Sequence, residues 1–151
     1  MLPQRINLIA YSTLAVIICY IDRVNISVAI IPMQEQFGWS DSQVGLIFSS
    51  FYLGYMLTMA LGGYLSDKFG GKSVLGWGVV LWSIFTILTP VAAHNGFFAL
   101  FFIRILMGIG EGVTFPAWHS LYARWIPFNE RTRAIAFTNS GISIGTIIGY
   151  I

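Results

Sequence analysis

Apolar residues run along the chain in five blocks, at 6–31, 44–65, 74–93, 97–118 and 134–151, parted by short polar connections. A helix needs about 20 apolar residues to cross a bilayer, so each block predicts a membrane-spanning helix, the last one near the short limit. The second, third and fifth blocks hold no charged residue. The segment 32–43 carries turn formers, and Ser40 or Asp41 is placed to cap the second helix. His94, Asn95 and Gly96 read as a tight turn before the fourth. The pattern predicts an all-α, polytopic transmembrane helix bundle.

Basic residues orient it. Of eight Lys and Arg, Arg23 and Arg104 fall within apolar blocks. Arg5, Lys68, Lys72, Arg124, Arg131 and Arg133 fall before the first helix, between the second and third, or between the fourth and fifth. The alternate connections hold none, which predicts a cytoplasmic N-terminus. Only 9% of the residues are charged and 56% are hydrophobic, against about 25% charged in soluble domains. Cys19 is the single cysteine, so no disulfide framework forms within the chain. The first helix is too long for a cleaved signal and reads as retained. The last block runs to Ile151 without a polar flank, and we read the chain as the N-terminal part of a longer protein, ending in its fifth helix.

Two pairs of opposite charges interrupt the apolar pattern: Asp22 with Arg23, and Arg104 with Glu111. A charge at membrane depth costs roughly 2.5–3.5 kcal/mol on insertion scales and usually lines a substrate or proton path. Arg104 and Glu111 are seven residues apart, close to two helical turns, and share a face about 10 Å apart along the axis. Glu111 leans toward Arg104, without contact being assured. Asp22 and Arg23 point about 100° apart and need different partners. An arginine fork suits a carboxylate or phosphate. Burial and a neighbouring arginine act in opposite senses on a carboxyl group, which can leave its protonation switchable. A static ion pair holding helices together fits the same residues.

The stretch from Gly63 to Lys72 reads as a loop, with Asp67 at a cytoplasmic helix end and Gly70-Gly71 allowing reversal. A conformational latch, in which Asp67 meets the N-terminal end of another helix, and an ordinary basic turn both fit it. Gly108 and Gly112 invite close helix packing, as do Gly141, Gly145 and Gly149, and Pro116 predicts a kink. Asn25-Ile26-Ser27 matches a glycosylation pattern inside a span and is rejected. Asn25 suits a substrate or an interhelical hydrogen bond equally. His119 reads as interfacial, and His94 as solvated.

With these residues in view, the chain resembles the major facilitator superfamily. The loop Gly63, Asp67, Lys68, Gly70, Lys72 is similar to its Gly-x-x-x-Asp-basic-x-Gly-basic-basic pattern, except that Gly71 stands where a basic residue is common. Arg104 through Gly112 resembles its fourth-helix Arg-x-x-x-Gly-x-Gly-x-Gly pattern. With Asp22-Arg23-Val24-Asn25 and the run Trp125–Ala134, the chain is similar to the anion:cation symporter family. That family includes bacterial sugar-acid transporters, sialin, vesicular glutamate transporters and plastid phosphate transporters.

The resemblance implies the N-terminal half of a twelve-helix fold, with a partner half beyond this chain. It implies proton-coupled symport of an organic anion by alternating access, with no cofactor and no enzymatic chemistry. Arg23, Arg104, Tyr20, Tyr55 and Asn25 would bind substrate, Asp22 and Glu111 would couple protons, and the Gly63–Lys72 loop would gate. Phe48 stands where vesicular glutamate transporters carry a histidine, and the fifth helix lacks the Gly-Pro step of drug–proton antiporters. A small scaffold with structural ion pairs, and an anion uniporter or exchanger, are the alternatives. With no presequence before the first helix, a bacterial inner membrane is expected. No metal cluster, nucleophile triad, phosphate loop or nucleic-acid patch stands out.

Overall fold

The helices are separated by one to three residues each. The computed structural model describes residues 2–151 as six helices: α1 (Leu2–Phe37), α2 (Asp41–Phe69), α3 (Gly71–Asn95), α4 (Phe97–Gly112), α5 (Thr114–Trp125) and α6 (Phe128–Tyr150). Ser40 is the cap of α2: its hydroxyl accepts from the Gln43 amide, and the Gln43 side chain accepts from the Ser40 amide. Gly70 and Gly96 reverse the chain alone, at φ 83° and 111°, a region open chiefly to glycine.

Three element boundaries differ from the sequence reading. α1 passes through Pro32 and ends at Phe37, because proline forfeits one helical hydrogen bond without forbidding continuation in a packed bundle. The stretch Gly63–Phe69 is helix, not loop, leaving Gly70 alone as the turn. The fourth block is two helices broken at Val113. Pro116 has no N–H for the Gly112 carbonyl, and the ladder resumes with Ala117 N–H on Val113 O at 3.0 Å.

By length and composition, four segments can cross a membrane: Gln4–Phe37, Asp41–Phe69, Gly71–Asn95, and α4 with α5 over Phe97–Trp125. α6, expected as a fifth crossing over 134–151, is more polar and is not among them. It nevertheless runs parallel to α1, with Gly141 over Thr13, Gly145 over Ile17 and Gly149 over Val24. Thr13, Thr138 and Tyr122 link α1, α6 and α5 through buried hydroxyls, the last pair at 2.6 Å.

α2 runs parallel to α4, and α3 antiparallel to it, in a bundle without strands among the described residues. Gly54 and Gly108 let α2 and α4 touch backbone to backbone: a Cβ on Gly108 would collide with the Phe51 carbonyl oxygen, and one on Gly54 with that of Ile105. A Cβ on Gly71 would stand 2.5 Å from the Ala117 carbonyl oxygen of α5. That packing explains why no basic side chain occupies position 71.

The two ends of the bundle differ in charge. Arg5 meets Glu130 at 3.7 Å and Arg124 meets Asp67 at 3.7 Å at one end. At the other, Gln34 donates to Asp41 at 2.7 Å, and Phe37 stacks on Trp39 and meets the His94 ring edge-on. All the loop lysines and arginines therefore collect at one end, a one-sided distribution of the kind that orients membrane proteins.

Gly108→Leu is expected to separate α2 from α4 and lower the thermal midpoint of the detergent-solubilised protein, since overpacking costs about 1–3 kcal/mol or more. Gly45→Leu meets nothing within 4 Å and serves as the control. Equal midpoints for the two variants would contradict the backbone contact.

Candidate functional site

α1 carries Cys19, Tyr20, Asp22, Arg23 and Asn25 within two turns. α4 faces it with Arg104, Met107 and Glu111, α2 adds Phe51 and Tyr55, and α3 adds Thr86 and Thr89. The charged side chains sort into two clusters.

The first is built on Glu111, which is fully buried. Arg23 Nη2 donates to Glu111 Oε2 at 2.8 Å, and Cys19 Sγ lies 3.1 Å from the same oxygen. Glu111 Oε1 and Arg23 Nε have no hydrogen-bond partner. The Arg23 guanidinium lies 4.9 Å from the Tyr20 ring, 5.0 Å from Phe51 and 4.9 Å from Tyr55. Aromatic rings attract a desolvated cation through their quadrupoles, so this cage adds to the hold of the ion pair on Arg23. Tyr20 and Tyr55 also line a cavity of about 380 Å³ with Phe115, Pro116 and His119. His119 stacks on Trp118.

The second cluster surrounds Arg104, which is 3% exposed. Its Nη1 donates only to Met107 Sδ, at 3.2 Å, and its Nε has no partner. Its guanidinium is 4.9 Å from the Phe51 ring. Both arginines thus converge on Phe51, whose ring softens the repulsion between them. Asp22, Asn25, Thr86, Thr89 and Arg104 line a cavity of about 140 Å³. Thr86 Oγ1 donates to Asp22 Oδ2 at a long 3.5 Å.

The helical spacing pointed Glu111 toward Arg104, but its ion-pair partner is Arg23 on the facing helix. Asp22 and Arg23 do turn to different partners, as adjacent positions must. Asn25 is exposed and belongs with Asp22 and Arg104. Asp67 does not reach a helix N-terminus: its carboxylate meets Arg124 and Ser120 near the C-terminal end of α5. Of the rest of that segment, Lys68 lies over Tyr64 and Phe69. Lys72 lines an outer hollow, and Gly63 has open space beside it.

Phe51, Cys19, Thr86 and Met107 carry no sequence signal and emerge only from the packing. Two larger hollows, of about 730 and 430 Å³, lie on outer apolar faces of the bundle, away from these charges. Among the described residues no group of three His, Cys, Asp or Glu could hold a metal ion.

A family model for the Major Facilitator Superfamily matches residues 12–151. The chain belongs to the major facilitator superfamily. Among its relatives, the chloroplastic ascorbate transporter of Arabidopsis thaliana is 48% identical over 147 residues, covering 97% of this chain and 27% of that protein. Sodium-dependent phosphate transport protein 1, chloroplastic, of the same plant is 47% identical over 147 residues, with 97% and 29% covered. Probable anion transporter 4, chloroplastic, of Oryza sativa subsp. japonica is 49% identical over 147 residues, with 97% and 25% covered. The chain thus spans under a third of the length of these relatives.

The crystal structure of a bacterial homolog to the human lysosomal transporter Spinster, inward-facing and occupied, superposes with a TM-score of 0.90 at 28% identity, covering 97% of this chain and 31% of that one. Superfamily membership makes the chain part of a multi-pass membrane protein, and these relatives are named for transport rather than enzymatic reactions. The three relatives are chloroplastic, so they lend no support to the bacterial inner membrane expected from the sequence.

Removing one partner of a buried ion pair costs about 3–5 kcal/mol, because the other is left uncompensated. A double-mutant cycle on thermal stability is therefore expected to show strong coupling between Arg23→Ala and Glu111→Ala and little between Arg104→Ala and Glu111→Ala. Coupling centred on Arg104 would contradict the pairing in the structure.

Proposed function

We propose that the complete protein containing this chain is a secondary active transporter that carries an organic anion, a sugar acid or another carboxylate, with a proton. The observation that carries this reading is a pair of arginines within membrane-spanning segments, Arg23 partly buried and neutralised by Glu111, and Arg104 buried without a carboxylate within ion-pair distance. The names of the relatives, an ascorbate transporter and a phosphate transport protein, support an anionic substrate.

The mechanism follows from competition for Arg23. With Glu111 ionised, Arg23 is occupied at 2.8 Å. A proton arriving from outside attaches to a Glu111 oxygen, and Oε1 is the one without a partner. The neutral carboxyl no longer holds the guanidinium as an ion pair, and the Tyr20, Phe51 and Tyr55 rings keep it in place. Arg23 then offers its fork to the substrate's carboxylate, with Arg104 supplying a second positive charge. Asn25, exposed beside Arg104, donates to the substrate's neutral oxygens. A second half of the protein closes the opposite wall, and rocking of the halves exposes the site inward. Proton loss to the cytoplasm restores the Arg23–Glu111 pair and expels the anion. Asp67 and Arg124, with Gly63, Lys68, Gly70 and Lys72 around them, latch the cytoplasmic end between cycles.

The test is uptake by the complete protein in liposomes, with an acid-outside gradient and a panel of labelled anions including ascorbate, phosphate and sugar acids. Accumulation of one anion, abolished by a protonophore, is expected. Glu111→Gln should lose gradient-driven accumulation on the order of tenfold, within the usual range of coupling, while keeping anion exchange. Full gradient-driven accumulation by Glu111→Gln would rule the mechanism out.

A further inference from the structure

The two oxygens of the Glu111 carboxylate are not equivalent. Oε1 has no partner, while Oε2 takes two donors from α1. One is Arg23 Nη2, at 2.8 Å. The other is the thiol of Cys19, one helical turn before Arg23, with Sγ 3.1 Å from the oxygen. A thiol has one hydrogen, and among the described residues the only acceptor it meets is Glu111 Oε2. Cys19 is 1% exposed, so water does not compete for that hydrogen. Arg23 Nη2 also lies 3.9 Å from Sγ, and guanidinium, thiol and carboxylate close a triangle. A buried cysteine can equally pack as a small apolar side chain. Apolar packing alone does not call for sulfur against a carboxylate oxygen, and the geometry favours a donor.

We propose that Cys19 is a positioning residue for Glu111: its thiol anchors Oε2, and it stays there when Arg23 turns to the anion. The two side chains differ in reach. Sγ is one bond beyond Cβ and is fixed by the α1 backbone, whereas the long arginine stem can swing. Once a proton is on Oε1 and Arg23 has turned away, Oε2 would be a buried acceptor without a donor, which is costly. The thiol removes that cost and keeps its own hydrogen throughout. It also bonds the ionised carboxylate more strongly than the neutral one, so it delays protonation and sets the pH at which Arg23 is released. That consequence rests on the proposed competition for Arg23, while the thiol contact does not.

Other titratable groups surround Glu111. α1 adds Tyr20, and Asp22 turned toward Thr86. α2 brings Tyr52 and Tyr55 beside the arginines. α4 adds Arg104, and α5 places His119 across the cavity from Tyr20 and Tyr55. α3 carries Lys72 and His94 toward its two ends. The test therefore reads Glu111 itself.

Infrared difference spectra of the purified complete protein are recorded across pH, without any anion. The carboxylic acid band that Glu111→Gln removes reports protonation of Glu111. Its midpoint is expected to move to higher pH, by about half a unit, in Cys19→Ala and in Cys19→Val, which fills the space with no hydrogen to donate. The S–H band that Cys19→Ala removes should lie below the frequency of a free thiol in the parent and rise in Glu111→Gln. Monodisperse elution of each variant separates a lost bond from a lost fold. Parent-like midpoints in both Cys19 variants, or an S–H band at the free-thiol frequency, would overturn the role of Cys19 and leave the transport reading standing. A Glu111 band that never titrates would overturn both. Shifted midpoints in a protein without acid-driven anion uptake would uphold the thiol's hold on Glu111 and defeat the transport reading.

Discussion

The ion pair between Arg23 and Glu111 ties together parts of the bundle that otherwise touch sparingly. α1 packs chiefly on α6, while α2, α3 and α4 pack on one another. At membrane depth the link between these groups that carries full charge is a single 2.8 Å contact, with a fully buried glutamate on one side. Such a pair is strongly destabilising to break one-sidedly, yet it contributes little net stability compared with apolar packing. On the proposed mechanism, its presence is explained by what neutralising it does rather than by what it holds up. A proton is the smallest ligand that can dissolve it, and an anion is the natural replacement partner for Arg23.

The rest of the bundle keeps that pair in register. Gly54 and Gly108 bring α2 against α4 with backbone in contact, which carries Phe51 and Tyr55 to the arginines. The break at Val113 falls two residues after Glu111, so the helix loses its continuity just beyond the carboxylate. At the basic end of the bundle the links are exposed and screened, Asp67 to Arg124 at 3.7 Å, and such pairs contribute about 0–1 kcal/mol. They can open and close readily.

Much of this was legible in the order of residues. Hydrophobic blocks give helices, and the one-sided placement of Lys and Arg gives a bundle with one basic end, because lipid punishes other arrangements of backbone and charge. The divergence of Asp22 from Arg23 follows from helical geometry alone. The partner of Glu111 did not follow, because spacing within α4 favoured Arg104 while the actual partner lies 88 residues away on α1. Only the packing of helices decides such a choice. Pro116 announced a kink but not that Val113 would take it. Gly71 looked like a lapse in a basic motif and is instead a position where α3 meets the α5 backbone. Phe51 and Thr86 are ordinary residues in apolar blocks, and their place beside charges is visible only in three dimensions.

The central claim is that Glu111 and the substrate compete for Arg23. Its most direct measurement is the affinity of the complete protein for its anion across pH, with and without Glu111→Gln. The groups facing Glu111 are Arg23, Cys19 and Arg104, and only Glu111 needs to titrate. The parent should bind more tightly as pH falls and the carboxylate is neutralised. Glu111→Gln should bind tightly throughout, with that pH dependence removed. An unchanged pH dependence in Glu111→Gln would show that the carboxylate does not compete, and the account would fail.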